Sequence, residues 1–193
     1  MNILTKTRNG IQCVPLESSL LARRKIYMTN PGGIDLANAN EIIRQLLYLE
    51  AEDPEAPIDF YISSPGGQVT AGLLIYDQIK GMQTPVNMYC CGMAASMAAI
   101  ILAGGRKGSR FILPHSKVMI HEPLIDGGVG GSATSLQRTA EAIMETKRTM
   151  VNLLTADTGR TIAEIERAIA YDNYMNAKEA VDFGICDLIV ERV

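Results

Sequence analysis

The sequence predicts an α/β domain with a largely parallel sheet, and two observations lead to this fold class. Short apolar segments alternate with longer segments of helical periodicity, which is the order typical of parallel sheets. A length of 193 residues and an apolar fraction of 47% suit one domain with a substantial core. The predicted strands span residues 58–62, 86–91, 110–113, 117–121 and 185–190.

The predicted helices follow from apolar spacing and from capping residues. Asp35 is expected to cap a helix with a buried stripe of Ile and Leu, and a second helix is expected over 70–81. A third begins near Ser96 and ends at Gly104, and a long polar helix spans 135–158. The pairs Thr161 with Glu164 and Asn176 with Glu179 have capping-box spacing, and Gly184 suits a helix C-terminus.

Composition argues against several classes of partner and cofactor. A net charge of −3 gives no reason to expect nucleic acid, and no apolar run is long enough to span a membrane. The four cysteines lack metal-ligand spacing and suit free thiols in a reducing cytosol, and the N-terminus lacks the apolar region of a signal peptide. We therefore expect a cytoplasmic protein with no metal and no bound cofactor.

A serine lies where an apolar strand changes to an apolar helix, within the segment Gly-Met-Ala-Ala-Ser-Met-Ala-Ala at 92–99. Such a turn can hold Ser96 out at a sheet edge beside the free N–H groups of a helix start, as a nucleophile requires. The spacing differs from the G-x-S-x-G elbow of the α/β-hydrolases. On this segment alone, a helix N-cap is the simpler interpretation of Ser96.

The two histidines and the downstream aspartates supply candidate partners for Ser96. His121 ends an apolar strand before Glu122-Pro123 and could act as a base, whereas His115 suits a solvated loop. The N–H groups of Gly67 and Met97 could together bind an oxyanion, although Pro-Gly-Gly is also an ordinary turn. The sequence pattern leaves open which carboxylate would complete a triad, the candidates being Asp126, Asp157, Asp172, Asp182 and Asp187.

Ten short segments stand out along the chain: 63–67 (SSPGG), 70–72 (TAG), 75–77 (IYD), 92–99 (GMAASMAA), 110–114 (RFILP), 118–123 (VMIHEP), 158–159 (TG), 165–167 (IER), 172–175 (DNYM) and 177–184 (AKEAVDFG). In their order and register, from about residue 25 to the C-terminus, the chain resembles the Clp protease proteolytic subunit.

This resemblance implies a fold and an active site. The fold would be the crotonase-like one of repeated ββα units, in a single domain over 25–193 with a protruding handle helix within about 124–158. Carried over residue by residue, Ser96 is the nucleophile, His121 the general base and Asp172 the residue that orients His121. The N–H groups of Gly67 and Met97 would form the oxyanion hole.

The resemblance also implies an assembly. Two seven-membered rings of identical subunits would stack through the handle and enclose the active sites, and an ATP-driven Clp-type unfoldase would supply unfolded polypeptide. ATP would be used by the unfoldase and not by this chain. Residues 1–24 would form a flexible axial segment.

Three departures from the family pattern point to a divergent paralogue. Tyr171 stands where an Arg usually precedes the catalytic Asp and pairs across rings, which predicts a ring contact that is either weaker or built differently. Asp59 and Gly81 replace aromatic residues of the unfoldase pocket, in which Tyr61 is retained, and residues 1–24 lack the usual Tyr-Asp-Ile-Tyr-Ser-Arg run. Two alternatives to an active peptidase core are therefore a structural or regulatory ring subunit that needs a second, paralogous proteolytic subunit, and an acyl-CoA enzyme of the crotonase superfamily.

Overall fold

The computed structural model describes residues 1–7, 10–29, 31–125 and 127–193. Its nine strands within these ranges are β1 Asn2–Thr7, β2 Gly10–Pro15, β3 Lys25–Met28, β4 Ile58–Ser64, β5 Val86–Ala95, β6 Arg110–Ile112, β7 Lys117–Ile120, β8 Asn173–Asn176 and β9 Leu188–Ile189. The seven helices of the same ranges are α1 Leu16–Leu21, α2 Leu36–Glu52, α3 Val69–Gly81, α4 Met97–Ala103, α5 Ala133–Thr158, α6 Ile162–Ile169 and α7 Ala177–Phe183.

The main sheet is largely parallel, as predicted. Its strand order is β3-β4-β5-β6-β9 with parallel pairing throughout, and β7 adds a further parallel pair with β5. Among the described residues, the one antiparallel pair of this sheet joins β7 to β8. The carboxyl ends of β4, β5 and β7 consequently lie at one edge, which is where α/β sheets place their ligand sites.

Strand β5 pairs with β4 along one side and has two parallel partners in succession along the other. Met88 to Cys90 pair with β6, and Met93 to Ala95 pair with β7 after the chain passes Gly92. The sequence predicted that this strand ends at residue 91, and that boundary is wrong because the second ladder extends the strand to Ala95. The last strand is shorter than predicted, since Leu188 and Ile189 are the residues of the described C-terminal segment that pair with β6.

The helices pack their apolar faces on the sheet, and most of their predicted caps are present. Asp35 accepts a hydrogen bond from the Asn38 N–H, and capping boxes begin α6 at Thr161 and α7 at Asn176. Every residue of α4 is buried, so this short helix lies in the centre of the core. Because α4 begins directly after Ser96, the turn that precedes this helix rests on a rigid base.

Helix α5 differs between its two halves. Its buried residues, Met150, Val151, Leu154 and Asp157, all lie in the C-terminal half. Leu136 and Met144 of the N-terminal half are exposed. The expected division into an axial segment, one domain and a handle stays a prediction, as does the flexibility of residues 1–24, where β1 and β2 pair as a separate antiparallel ladder.

Candidate active site

Ser96 occupies a tight turn between β5 and α4, in a backbone conformation that side chains seldom adopt. Its φ is 54° and its ψ is −125°, and Arg24 is the other non-glycine residue with positive φ in the described ranges. Such a conformation costs about 1–3 kcal/mol and persists only where the surroundings hold it in place. The Ser96 hydroxyl makes no capping hydrogen bond among the described residues, so the helix-cap interpretation is wrong.

Small neighbours allow this turn to form without the G-x-S-x-G spacing. Ala94 and Ala98 are fully buried on either side of Ser96, at the positions that the elbow motif gives to glycine. Gly66 lies so close that an added Cβ would be 2.6 Å from both the Ala95 carbonyl oxygen and the Ser96 Cβ. The β4–α3 turn therefore packs directly against the Ser96 turn.

His121 follows the last residue of β7 and reaches Ser96 with its side chain. Its Nε2 lies 2.9 Å from the Ser96 Oγ, and 14% of its side chain is exposed. The Ser96 N–H donates to the Met119 carbonyl oxygen at 2.8 Å, so the β5–β7 ladder continues up to the serine. The parallel register of β5 and β7 thus sets the distance between the hydroxyl and the imidazole.

Asp172 lies beside the other nitrogen of His121. Its Oδ1 is 3.5 Å from the His121 Nδ1, and 61% of its side chain is exposed. In the antiparallel register of β7 and β8, Ile120 pairs with Asn173. His121 directly follows Ile120 and Asp172 directly precedes Asn173, so this register brings His121 and Asp172 together. Asp172, His121 and Ser96 therefore form a line of carboxylate, imidazole and hydroxyl.

The other candidate aspartates within the described residues have different partners. Asp157 accepts hydrogen bonds from Tyr76 and Lys80, and Asp187 pairs with Arg110. Asp182 pairs with Lys178 on the surface of α7. Asp126 lies outside the described residues.

His115 is exposed in the turn between β6 and β7, as the sequence predicted for a solvated loop residue. It is therefore placed differently from His121, whose imidazole is mostly buried against Ser96.

Two backbone N–H groups lie beside the serine turn. Gly66 accepts a hydrogen bond from the Ile34 N–H, and the Gln68 N–H donates to the Ile34 carbonyl oxygen, so the Gly67 N–H between them points away from Ile34. Met97 is the first residue of α4, where backbone N–H groups lack helical partners. An added Cβ on Gly66 would be 3.1 Å from the Met97 nitrogen, which places the two turns in contact.

A cleft of about 730 Å³ opens over Ser96 and His121. The lining of the cleft is part polar and part apolar, and its apolar side chains include Ile34, Val69, Met119, Pro123, Leu124 and Met150. These residues come from five separate parts of the chain, so no local sequence signal identified them as cleft residues. The cleft is wide enough for a side chain of a bound peptide and offers it apolar contacts.

Lys147 of α5 forms an ion pair with Glu122, the residue after His121. The Glu122 N–H also donates to the Ile169 carbonyl oxygen at the end of α6. The segment that follows His121 is therefore tied to both α5 and α6.

Within the described residues, no group of His, Cys, Asp and Glu is arranged to hold a metal ion, and no helix is long and apolar enough to cross a membrane.

The family model described as Clp protease matches residues 8–193. The chain belongs to the Clp protease family. The resemblance noted in the sequence is thereby confirmed, and the α/β architecture with its parallel sheet is that of the Clp protease fold. Membership makes the chain a serine peptidase subunit of the Clp type, and it does not favour the acyl-CoA enzyme considered above.

The positions that depart from the Clp pattern lie on the surface or in polar contacts. The Tyr171 side chain next to Asp172 is among the most exposed, at 86%. Asp59 accepts a hydrogen bond from Asn87 and lies 4.0 Å from the Lys25 ammonium, beside the stacked rings of Tyr27 and Tyr61. Where the Clp family usually has aromatic residues, this chain therefore carries a polar cluster at Asp59 and no side chain at Gly81.

Proposed function

We propose that the chain is a serine endopeptidase in which Ser96 attacks the peptide bond. The observation that carries this proposal is the 2.9 Å separation of the Ser96 Oγ and the His121 Nε2. This is hydrogen-bond distance for a nucleophile and its general base, and the pair opens into a cleft that has apolar side chains in its lining. Membership of the Clp family supports the same reaction class.

In the acylation step, the Ser96 oxygen forms a bond to the carbonyl carbon of the substrate, and its proton passes to the His121 Nε2. The carbonyl oxygen gains negative charge, which the N–H groups of Gly67 and Met97 are proposed to stabilise by hydrogen bonding. The C–N bond then breaks, and the His121 proton moves to the leaving amine. The product of this step is an acyl ester on Ser96.

In the deacylation step, a water molecule takes the place of the amine. His121 accepts a proton from the water, whose oxygen attacks the ester carbonyl, and then returns the proton to the Ser96 oxygen as the ester bond breaks. Asp172 is proposed to accept a hydrogen bond from the His121 Nδ1–H. That bond would keep the Nε2 unprotonated in the resting imidazole and stabilise the imidazolium formed in each step.

The substrate is proposed to be unfolded polypeptide. An extended chain could add to the open side of the backbone at Gly67, and an apolar side chain next to the scissile bond would contact the lining that includes Val69 and Leu124. Supply of this substrate by an ATP-dependent unfoldase, and enclosure within stacked seven-membered rings, are proposed on the basis of family membership.

The test is covalent labelling with a fluorophosphonate, combined with hydrolysis of a fluorogenic peptide. The Ser96 oxygen would bond to phosphorus with loss of fluoride, and its proton would pass to His121. We expect Ser96→Ala to abolish labelling and hydrolysis, and His121→Ala to lower the hydrolysis rate by roughly 10⁴-fold or more.

His115→Ala is the matched control, because it removes the other histidine of the chain, which lies in an exposed turn outside the cleft. It should label and hydrolyse at the wild-type rates. Labelling of the Ser96→Ala protein at the wild-type rate would show that the nucleophile is another residue.

A second candidate is a ring subunit that becomes active only with a paralogous proteolytic subunit. The observation that favours it is the exposure of Asp172 together with the 3.5 Å gap to His121, which leaves the carboxylate without a close hydrogen bond to the imidazole. Labelling of the pure protein supports the first candidate. Labelling only after a second subunit is added supports the second.

A further inference from the structure

On one side, the partner of strand β5 changes from β6 to β7, and at this change β5 and the segment opposite it have different numbers of residues. Cys90 pairs with Ile112, and Met93 pairs with Lys117. Between these two pairs, β5 therefore has the two residues Cys91 and Gly92, whereas the segment that joins β6 to β7 has the four residues from Leu113 to Ser116. The regular ladder is interrupted here, and a different contact must bridge the gap.

Ser116 supplies that contact with its side chain. The Gly92 N–H donates to the Ser116 Oγ at 2.7 Å, and the Ser116 hydroxyl donates to the Cys90 carbonyl oxygen at 3.1 Å. Ser116 is 3% exposed, so the hydroxyl is shielded from water that could replace these partners. One hydroxyl thus bonds the backbone on both sides of Cys91.

The position of Ser116 in the chain connects this contact to the active site. Ser116 directly precedes β7, the strand that ends beside His121, and it holds the part of β5 that leads to Ser96. From this point the two strands run parallel through Met93–Lys117, Ala94–Val118 and Ala95–Met119. A shift between the strands at Ser116 would be carried along this short ladder to the hydroxyl and the imidazole.

We propose that Ser116 is a positioning residue that sets the register between the nucleophile strand and the base strand. It acts through Gly92 and Cys90 and is not among the cleft-lining residues. The inference rests on the proposed function, since it concerns the alignment of Ser96 with His121. Ser116→Ala should therefore weaken the alignment of the pair and leave the cleft lining in place.

The experiment measures the second-order rate of fluorophosphonate labelling of the intact protein, with Ser96→Ala as the blank. We expect Ser116→Ala to slow labelling by about 10- to 100-fold, because small misplacements of reacting groups have effects of that size. In peptide hydrolysis kcat should fall by a similar factor while KM stays within about twofold, since misalignment of the pair leaves substrate contacts unchanged.

Two further variants separate positioning from general destabilisation. Thr84→Val removes another buried hydroxyl at the opposite end of β5, and should lower the melting temperature without slowing labelling. Ser116→Cys keeps the approximate volume with a weaker donor, and should label at an intermediate rate. If Ser116→Ala does not fold, Ser116→Cys still has to label more slowly than the wild type.

The outcomes distinguish the two proposals. If the wild-type protein itself is not labelled at Ser96, the proposed function fails. If the wild type is labelled and the Ser116 variants match its rate, the positioning role is overturned. It is also overturned if Thr84→Val slows labelling in proportion to its loss of thermal stability, as the Ser116 variants do.

Discussion

Ser96 and Gly66 depend on each other at the scale of single residues. The positive φ of Ser96 directs its hydroxyl toward His121, and Gly66, with a φ of 94°, fills the space directly beside the turn. Any side chain at residue 66 would collide with backbone that forms the serine turn. The Pro-Gly-Gly segment is therefore needed for the shape of the nucleophile site as well as for its own turn.

Gly66→Ala is expected to reduce labelling of Ser96 by about 100-fold, a typical consequence of displacing a reacting group by about 1 Å. The added Cβ would lie 2.6 Å from the Ala95 carbonyl oxygen, so either the serine turn or the β4–α3 turn must move. Fluorophosphonate labelling measures the effect, and urea unfolding should show a loss of roughly 1–3 kcal/mol for the strained backbone.

Gly81→Ala is the control for that substitution. Nothing lies within 4 Å of a Cβ at Gly81, which ends α3 without a positive φ. Its labelling rate should be that of the wild type, and its stability should be unchanged or raised by up to about 1 kcal/mol. A Gly66→Ala protein that labels as fast as Gly81→Ala would contradict the close-packing argument.

At the scale of elements, a buried arginine joins the ends of several helices and strands. Arg110 of β6 is 3% exposed and forms a two-pronged contact with Asp187, which precedes β9. Its third nitrogen, Nη1, donates to the carbonyl oxygens of Ala103 in α4 and Asp157 in α5. Arg110 therefore fixes the helix that follows Ser96 relative to the C-terminal end of α5.

Arg110→Met should destabilise the fold by about 3 kcal/mol, because it leaves Asp187 partly buried without its cation. The measurement is equilibrium unfolding in urea at neutral pH. The double variant Arg110→Met with Asp187→Leu should regain part of the loss, since no unpaired charge remains. A single variant as stable as the wild type would show that the ion pair contributes nothing.

The same pair predicts a pH dependence. Burial by itself raises the pKa of Asp187, but the hydrogen bond and charge of Arg110, with backbone N–H groups of Arg110 and Gly108, outweigh it and leave the pKa below its usual value. A lowered folded-state pKa stabilises the protein above the unfolded pKa of about 3.9, and that stabilisation is lost as the pH falls through the folded-state value.

Because burial without the cation raises the folded-state pKa of Asp187 in the variant, the stability difference between the wild type and Arg110→Met should narrow as the pH falls from that raised value, above about 4, toward the lowered value of the wild type. In the variant burial remains without the cation, so protonation of Asp187 relieves an unpaired charge. Unfolding curves at a series of acidic pH values measure this change. A difference that stays constant with pH would rule out Asp187 as its source.

At the scale of the whole molecule, several exposed residues lie at or next to Asp172 and along α5. Asp172 and Tyr171 are both exposed, and the N-terminal half of α5 presents Leu136 and Met144 to solvent. Exposed apolar residues on a long helix are typical of a surface that meets another subunit. These features agree with the expected stacking of rings through the handle.

We expect the protein to sediment as an assembly of fourteen 21.0-kDa chains, and Leu136→Asp with Met144→Asp to reduce it to single rings. The added charges would have to be buried without partners if α5 lies between rings. Analytical ultracentrifugation measures the size. Gln137→Asp, which adds one such charge at a polar position of the same helix, is the control for each single substitution. Unchanged sedimentation of the double variant would place the contact elsewhere.

Local sequence signals predicted the positions of helix ends and strands well where neighbouring residues along the chain determine them. Asp35, Thr161 and Asn176 cap helices because each side chain bonds to backbone within three residues. The end of β5 was misjudged because its last ladder depends on β7, which follows more than twenty residues later. The role of Ser116 was missed for the same reason.

The sequence by itself determined the fold class, the family and the residue types of the proposed site, since these follow from periodicity, caps and motifs that lie close together along the chain. Tertiary structure decided the distance between Ser96 and His121, the 3.5 Å separation of the His121 Nδ1 from the Asp172 Oδ1, and the cleft over the serine and the histidine. The physical reason is that these quantities depend on register between β5, β7 and β8. Register is set by backbone pairing between distant segments, and no single segment carries that information.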